Sequence, residues 1–259
     1  KELINNYKIN RIKDINNKSD HSMVITNIRK ILNKITDQNY DKLKNEFLCY
    51  YKSIFNDKQK LDKIDKDFNK IDLNKIDSNE IDLNEINLFI FDSLVYNNII
   101  FNNLYSDLLY NLININSDFS DILNNYLDIF YNIHKFIKIS KSNDNYNEIS
   151  DVNKHNDKYK CLCRFYIYCV KINLIPIEII TNETLILQKE LLNNIELQNN
   201  KEYNELLTQF LFLIASNLKL TDEKIILNFK YIANLKNNSY PSISNKIIFK
   251  HKDIIEKNL

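Results

Sequence analysis

The chain has 259 residues, 44% of them hydrophobic, and a net charge of +1, so it is long enough to bury a sizeable core. It contains no glycine, which excludes the Walker A loop, the dinucleotide-binding fingerprint, the nucleophile elbow and the kinase glycine-rich loop, because each needs a positive φ or a close backbone approach. Hairpins with primed turns are disfavoured for the same reason, whereas helical hairpins need no glycine, so composition selects an all-α class.

Lys1 to Asp20 is polar and reads as a flexible or helical lead, with the domain proper starting near residue 23. Val24, Ile28, Ile31, Leu32 and Ile35 then form one apolar stripe at the helical period. Thr36-Asp37-Gln38-Asn39 supplies turn chemistry, with Thr36 or Asp37 expected to accept a free amide of the next helix. Tyr40, Leu43, Phe47 and Tyr51 continue the stripe, so Met23 to Phe55 is predicted to be an antiparallel helical hairpin.

Residues 56–85 repeat Ile-Asp-Leu-Asn-like units with a near five-residue period, which matches neither helix nor strand, and are expected to be a low-complexity surface insertion. Helical spacing resumes over Ile86 to Tyr96, Phe101 to Ile113 and Phe119 to about Ile139, the last expected as one long helix. A second low-complexity linker is expected near 140–158, with the next helix running from Tyr159 to Leu174. Pro176 suits the first turn of the helix after it, where its missing N–H costs nothing. Tyr203 to Leu218, Glu223 to Lys236 and Ser242 to Ile255 complete the pattern, with Tyr240-Pro241-Ser242 as a break. The whole reads as a HEAT-like solenoid of about five antiparallel helix pairs, forming a single domain over 23–259.

Asn, Lys, Ile, Tyr and Phe are used heavily, which points to an AT-rich genome, such as that of a protist or a large DNA virus, and gives Asn-rich loops little functional weight. Charge is uneven. Asp67 to Asp128 holds eleven acidic residues against two lysines, and Lys224 to Lys257 holds seven lysines against two acids.

One stretch carries a family resemblance strongly, and four others carry it weakly. IRKILNKITDQNYDKL, residues 28–43, resembles the opening hairpin of the middle domain of eukaryotic translation initiation factor 4G, roughly IRxILNKLTPxxFDxL. Ile28-Arg29, Ile31-Leu32-Asn33-Lys34, Thr36 and Asp41-Lys42-Leu43 match, Tyr40 stands for Phe and Asp37 for Pro. Weaker likenesses follow in order: Phe91, Phe101, Tyr105 and Leu108 in the second repeat; Phe119, Leu123 and Phe130; Lys158 through Ile180; and Ser242, Ile243, Lys246, Phe249, Asp253 and Ile254 in a closing SSRIRF-like helix. Asn97 and Asn98 stand where that family has a Lys-Ala and Glu-Pro loop.

The resemblance implies a cytoplasmic, monomeric scaffold that binds and stimulates the factor 4A DEAD-box RNA helicase by holding its two lobes. It implies no catalysis, cofactor, metal or membrane. Carried over residue by residue, the helicase contacts are Asn33, Lys34, Thr36, Asp37, Asn97 and Asn98. Asn33 and Thr36 would serve equally well as turn caps. Lys236, Lys246, Lys250 and Lys252 are candidates for RNA phosphates. A sister scaffold of mRNA decay, splicing, cap binding or deadenylation with another helicase, or a helical module binding only RNA, are the competing expectations. His21, His134, His155 and His251 are isolated, with no zincin spacing, and the four cysteines, Cys49, Cys161, Cys163 and Cys169, are expected to be reduced and mostly buried.

Overall fold

The computed structural model describes residues 22–68, 82–96, 99–140 and 145–258, with side chains at 60–68, 99 and 258 outside the description. The lead up to residue 21, the centre of the first insertion and the loop Asn97-Asn98 therefore lie outside the described residues. Among the described residues the protein is all-helical, with no strand. Its contacts divide it into two compact units. One comprises the chain up to Leu94 together with Leu108–Ile122, and the other Val95–Asp107 together with Leu123–Leu259.

The first unit opens on the expected hairpin, α1 (22–32) and α2 (Tyr40–Phe68). Ile28, Leu32, Ile35, Phe47 and Tyr51 are buried, so the predicted stripe is the packed face. Contrary to expectation, α2 does not stop at Phe55 but runs on to Phe68. Ile54, Leu61, Ile64 and Phe68 keep the helical spacing there, a signal masked by the five-residue repeat that begins at Ile64. Helix α3 (Leu83–Tyr96) and the later part of α4 (Asn102–Ile113) add Ile86, Ile90, Phe91, Leu94, Leu108, Leu109 and Leu112 to the core. At its centre the Tyr51 hydroxyl donates to Asn87 Oδ1 at 2.8 Å and accepts from Asn116 Nδ2 at 2.9 Å. The Tyr51 ring meets Phe119 edge-on at 5.5 Å.

The single helix expected from Phe119 to Ile139 is broken into α5 (Asp118–Asn125), α6 (Leu127–Phe130) and α7 (Ile133–Phe136). The physical reason is a tertiary hydrogen bond. The buried Tyr166 hydroxyl donates to Leu123 C=O at 2.7 Å, taking the carbonyl at which the first break falls, and Phe130 stacks on Tyr166 at 4.7 Å. Asn132 Nδ2 then captures Asp128 C=O at 2.7 Å, ending the next turn.

Helix α8 (Tyr146–Lys171) starts thirteen residues before the expected Tyr159, so most of the interval expected as a 140–158 linker is helix. Asn145 caps it by accepting from the Glu148 amide, and a Glu at this third position is the residue a capping box favours. Asn156 is buried and pairs with both backbone groups of Lys138, at 3.0 and 2.9 Å, which fixes the extended segment after α7. Helices α9 (Ile177–Ile195), α10 (Lys201–Ala215), α11 (Glu223–Ala233) and α12 (Asn245–Asn258) complete the second unit. Helix α10 packs against α8, α9 and α12, and α11 against α9 and α12. Pro176 stands at the N-cap of α9, one place before the expected first turn, with φ −72°.

Without glycine, the left-handed positions fall to asparagine: Asn173, Asn199 and Asn238 have φ of 57°, 64° and 73°. Asn173 closes α8 with a Schellman pair, since Leu174 N–H reaches Cys169 C=O at 2.8 Å and Asn173 N–H reaches Val170 C=O at 2.9 Å. Asn tolerates this region better than other residues carrying a Cβ. Asn173→Val is expected to lower stability by about 1–2 kcal/mol and Asn173→Gly to change it by less than about 1 kcal/mol, as read by the urea midpoint.

Candidate functional site

The turn between α1 and α2 holds four of the candidate residues, and all four are exposed: Asn33, Lys34, Thr36 and Asp37. Its geometry comes from Asn39, expected as a turn residue but not as the cap. Asn39 accepts from the Thr36 amide at 2.8 Å and donates to Lys34 C=O at 2.8 Å, while its own backbone N–H reaches Thr36 C=O at 3.2 Å. The expected cap by Thr36 or Asp37 is replaced by this Asn39 clasp, which bonds backward into the turn instead of forward into α2. The backbone polar groups of Lys34 and Thr36 are thereby consumed, and the side chains of the turn stay presented to solvent.

Between the two helices lies a concave cleft of about 590 Å³ lined by Lys30, Ile31, Lys34, Lys42, Leu43 and Glu46, among others. Asn27 Nδ2 donates to the Tyr50 hydroxyl at 3.4 Å across its far end. Other cations of the hairpin are engaged elsewhere, Arg29 over the Phe89 ring at 5.2 Å and Lys44 over Tyr40 at 5.0 Å.

The candidate RNA lysines belong to the second unit, and the structure treats them unequally. Lys246 bonds Glu205 at 2.9 Å, and the same carboxylate accepts from Ser244 Oγ at 2.9 Å. Ser244 Oγ in turn accepts the Ile247 amide at 3.3 Å, capping α12. Lys250 lies over the Phe212 ring at 3.7 Å and within 3.9 Å of Asp253. Lys252 sits over Phe249 at 5.5 Å, and Phe249 is 58% exposed. Lys236 is exposed. Among the described residues no carboxylate stands at salt-bridge distance from Lys236 or Lys252, while Lys246 is neutralised on α10. Ser242 anchors this end. It is fully buried, its hydroxyl donates to Leu197 C=O and accepts the Asn200 amide at 2.9 Å, and its amide donates to Ile195 C=O at 3.0 Å.

No family model, curated protein or solved structure matches the chain. The residues themselves therefore carry the functional reading. Among the described residues no three His, Cys, Asp or Glu side chains cluster as a metal site would. No described helix is long and apolar enough to cross a membrane. Cys161, Cys163 and Cys169 are buried and Cys49 is exposed. Burial pushes the thiols of all three buried cysteines up, so they are held as unreactive thiols.

The most perturbed carboxyl is one that the sequence reading passed over. Glu183 on α9 is 0% exposed, and neither of its oxygens has a hydrogen-bond partner. Burial raises its pKa to about 9, so it is a neutral acid at pH 7. Thr184 and Gln188 of the same helix are also buried, the latter donating to Ile225 C=O at 3.0 Å and accepting from Asn228 at 2.9 Å. The spacing of Ile180, Glu183, Leu187 and Leu191 gave the signal, because it sets a glutamate inside an apolar stripe. His251 is its counterpart on α12: fully buried, bonded through Nδ1 to Ile247 C=O at 2.8 Å, and lowered by burial to about 4. Neither group opens to a described cleft, and both are groups of the core.

Proposed function

We propose that the chain is a HEAT-like helical solenoid, resembling the middle domain of translation initiation factor 4G, that binds and stimulates a factor 4A-like DEAD-box RNA helicase without performing chemistry itself. The observation that carries this reading is the first hairpin. The block Asn33-Lys34-Ile35-Thr36 with Asp41-Lys42-Leu43 is more than helix packing demands, and its polar members stand exposed on a turn organised by Asn39. The mechanism is positional: each unit offers one surface to one helicase lobe, and holding both lobes in a productive orientation raises turnover.

RNA is a second ligand in this proposal, and within it Lys236 and Lys252 contribute more than Lys246, whose charge Glu205 already balances. The test is a titration of the chain against a purified factor 4A-like helicase with ATPase rate recorded alongside. Saturable binding with a raised rate is the expected result, and Lys34→Glu is expected to weaken it. No binding and no stimulation would remove the proposal. In parallel, RNA affinity is expected to fall steeply with salt. Lys252→Glu should weaken it more than Lys246→Glu, and a flat salt response would rule out the phosphate contact.

A further inference from the structure

We infer that the α1–α2 cleft is a docking site for a short acidic segment of a partner protein, one that sets an apolar side chain between Ile31 and Leu43. The argument rests on how the hairpin sorts its charges. Arg29 and Lys44 lie over aromatic rings at 5.2 and 5.0 Å, whereas Lys30, Lys34 and Lys42 all line the cleft and, among the described residues, no carboxylate stands at salt-bridge distance from any of them. One acid, Glu46, lies among them, so the cleft is basic but not uniformly so. Its walls are half-buried Ile31 and Leu43, and its far end is closed by the Asn27–Tyr50 hydrogen bond at 3.4 Å.

Lys34, in the turn after α1, stands seven positions beyond Asn27, a length of about 10 Å at the helical rise. This accommodates roughly three extended residues. An alternating acidic and apolar segment matches both the lysines and the apolar walls. A nucleic-acid backbone would set phosphates beside Glu46 and leave Ile31 and Leu43 uncovered. Lys30 lies in the last turn of α1, whose negative end it complements, whereas Lys42 stands in the first turn of α2 beside Asp41.

This inference concerns the chemistry of the ligand and stands whether or not the partner is a helicase. Its test uses the full chain and two fluorescent probes, a short peptide of alternating Glu and Leu and an oligouridylate. The peptide is expected to bind at low salt, to weaken about tenfold with K34E/K42E, and to be unaffected by Lys219→Glu at an exposed position of the second unit. The lysines are exposed, so the melting temperature should not move. Lys30→Glu gives the same reading if the double reversal fails to fold. Equal peptide binding by wild type and K34E/K42E would overturn the site, as would a loss confined to the oligouridylate. Peptide binding without helicase binding would remove the helicase proposal alone, and the converse would remove this inference alone.

Discussion

Glu183→Met is expected to stabilise the chain by about 3 kcal/mol at pH 7 and to change the shape of its stability profile. The carboxyl is held at about 9 in the fold against 4.5 in the open chain. Its stabilising contribution is therefore complete below pH 4.5 and is lost as pH rises towards 9, at up to about 1.4 kcal/mol per pH unit, because the unfolded state ionises first. His251 has the opposite sense. Its pKa is lowered from 6.5 to about 4, so its contribution is complete above pH 6.5 and is lost as pH falls towards 4.

Between pH 4.5 and 6.5 the two slopes oppose each other and nearly cancel. From pH 6.5 to about 8 only the Glu183 slope remains, and above that the three buried thiols, raised from 9.0, add a decline of their own. The wild type should thus show a plateau and then a decline on the alkaline side. In Glu183→Met the decline disappears and stability rises from pH 4 to 6.5. In His251→Leu the fall begins near pH 4.5 instead. Urea midpoints measured every half unit from pH 4 to 8 read all three curves. An alkaline decline that survives in Glu183→Met would show that Glu183 does not hold the buried proton.

Tyr51→Phe is expected to cost about 2–4 kcal/mol in the first unit, although it removes a single oxygen. The loss is not the hydroxyl's own bonds but what they leave behind. Asn87 Oδ1 and Asn116 Nδ2 would both lose the partner they have in the buried core. Asn87 Nδ2 has no partner even in the wild type, so the amide would lose its last described side-chain bond. Because the chain has two units, the readout should be local. Hydrogen exchange at α2 and α3 amides is expected to speed up in Tyr51→Phe while α10 and α12 amides keep their protection. Replacing Asn87 by Leu as well should recover part of the loss, since a buried polar group without a partner is worse than an apolar one. Unchanged exchange at α2 would mean that water or another group already serves those amides.

The first hairpin was legible in the sequence because its stripe is regular and its turn is short. The features that escaped it have particular causes. The start of α8 was hidden because Asn145 and Glu148, a usable capping pair, sit in a stretch that looks like low-complexity asparagine. The breaks after Asn125 and Phe130 were invisible because no local residue dictates the first of them. A hydroxyl forty-three positions away, on Tyr166, takes the Leu123 carbonyl. The cap was assigned to Thr36 or Asp37 instead of Asn39 because capping rules look forward into the helix, whereas the Asn39 side chain bonds back to Thr36 and Lys34. Among the candidate contacts, the structure separates lysines that sequence treats alike. Lys246 has Glu205 against it, a pairing across forty-one residues that no spacing rule anticipates.

The asparagines at positive φ bear on what kinds of protein an AT-rich coding sequence can specify. Giving up glycine costs about 1 kcal/mol or so at each left-handed position, through the Cβ clash. The same substitution narrows the open chain's conformational freedom, which returns roughly 0.4–1 kcal/mol on folding. The two terms nearly offset, and in a helical protein the positions concerned are few, here Asn173, Asn199 and Asn238 among the described residues. Nucleotide drift can therefore empty such a chain of glycine with little thermodynamic consequence. A fold built on tight primed turns or phosphate-cradling loops has no such latitude, so mutational pressure on base composition acts as a filter on architecture, sparing bundles of helices and eroding the rest.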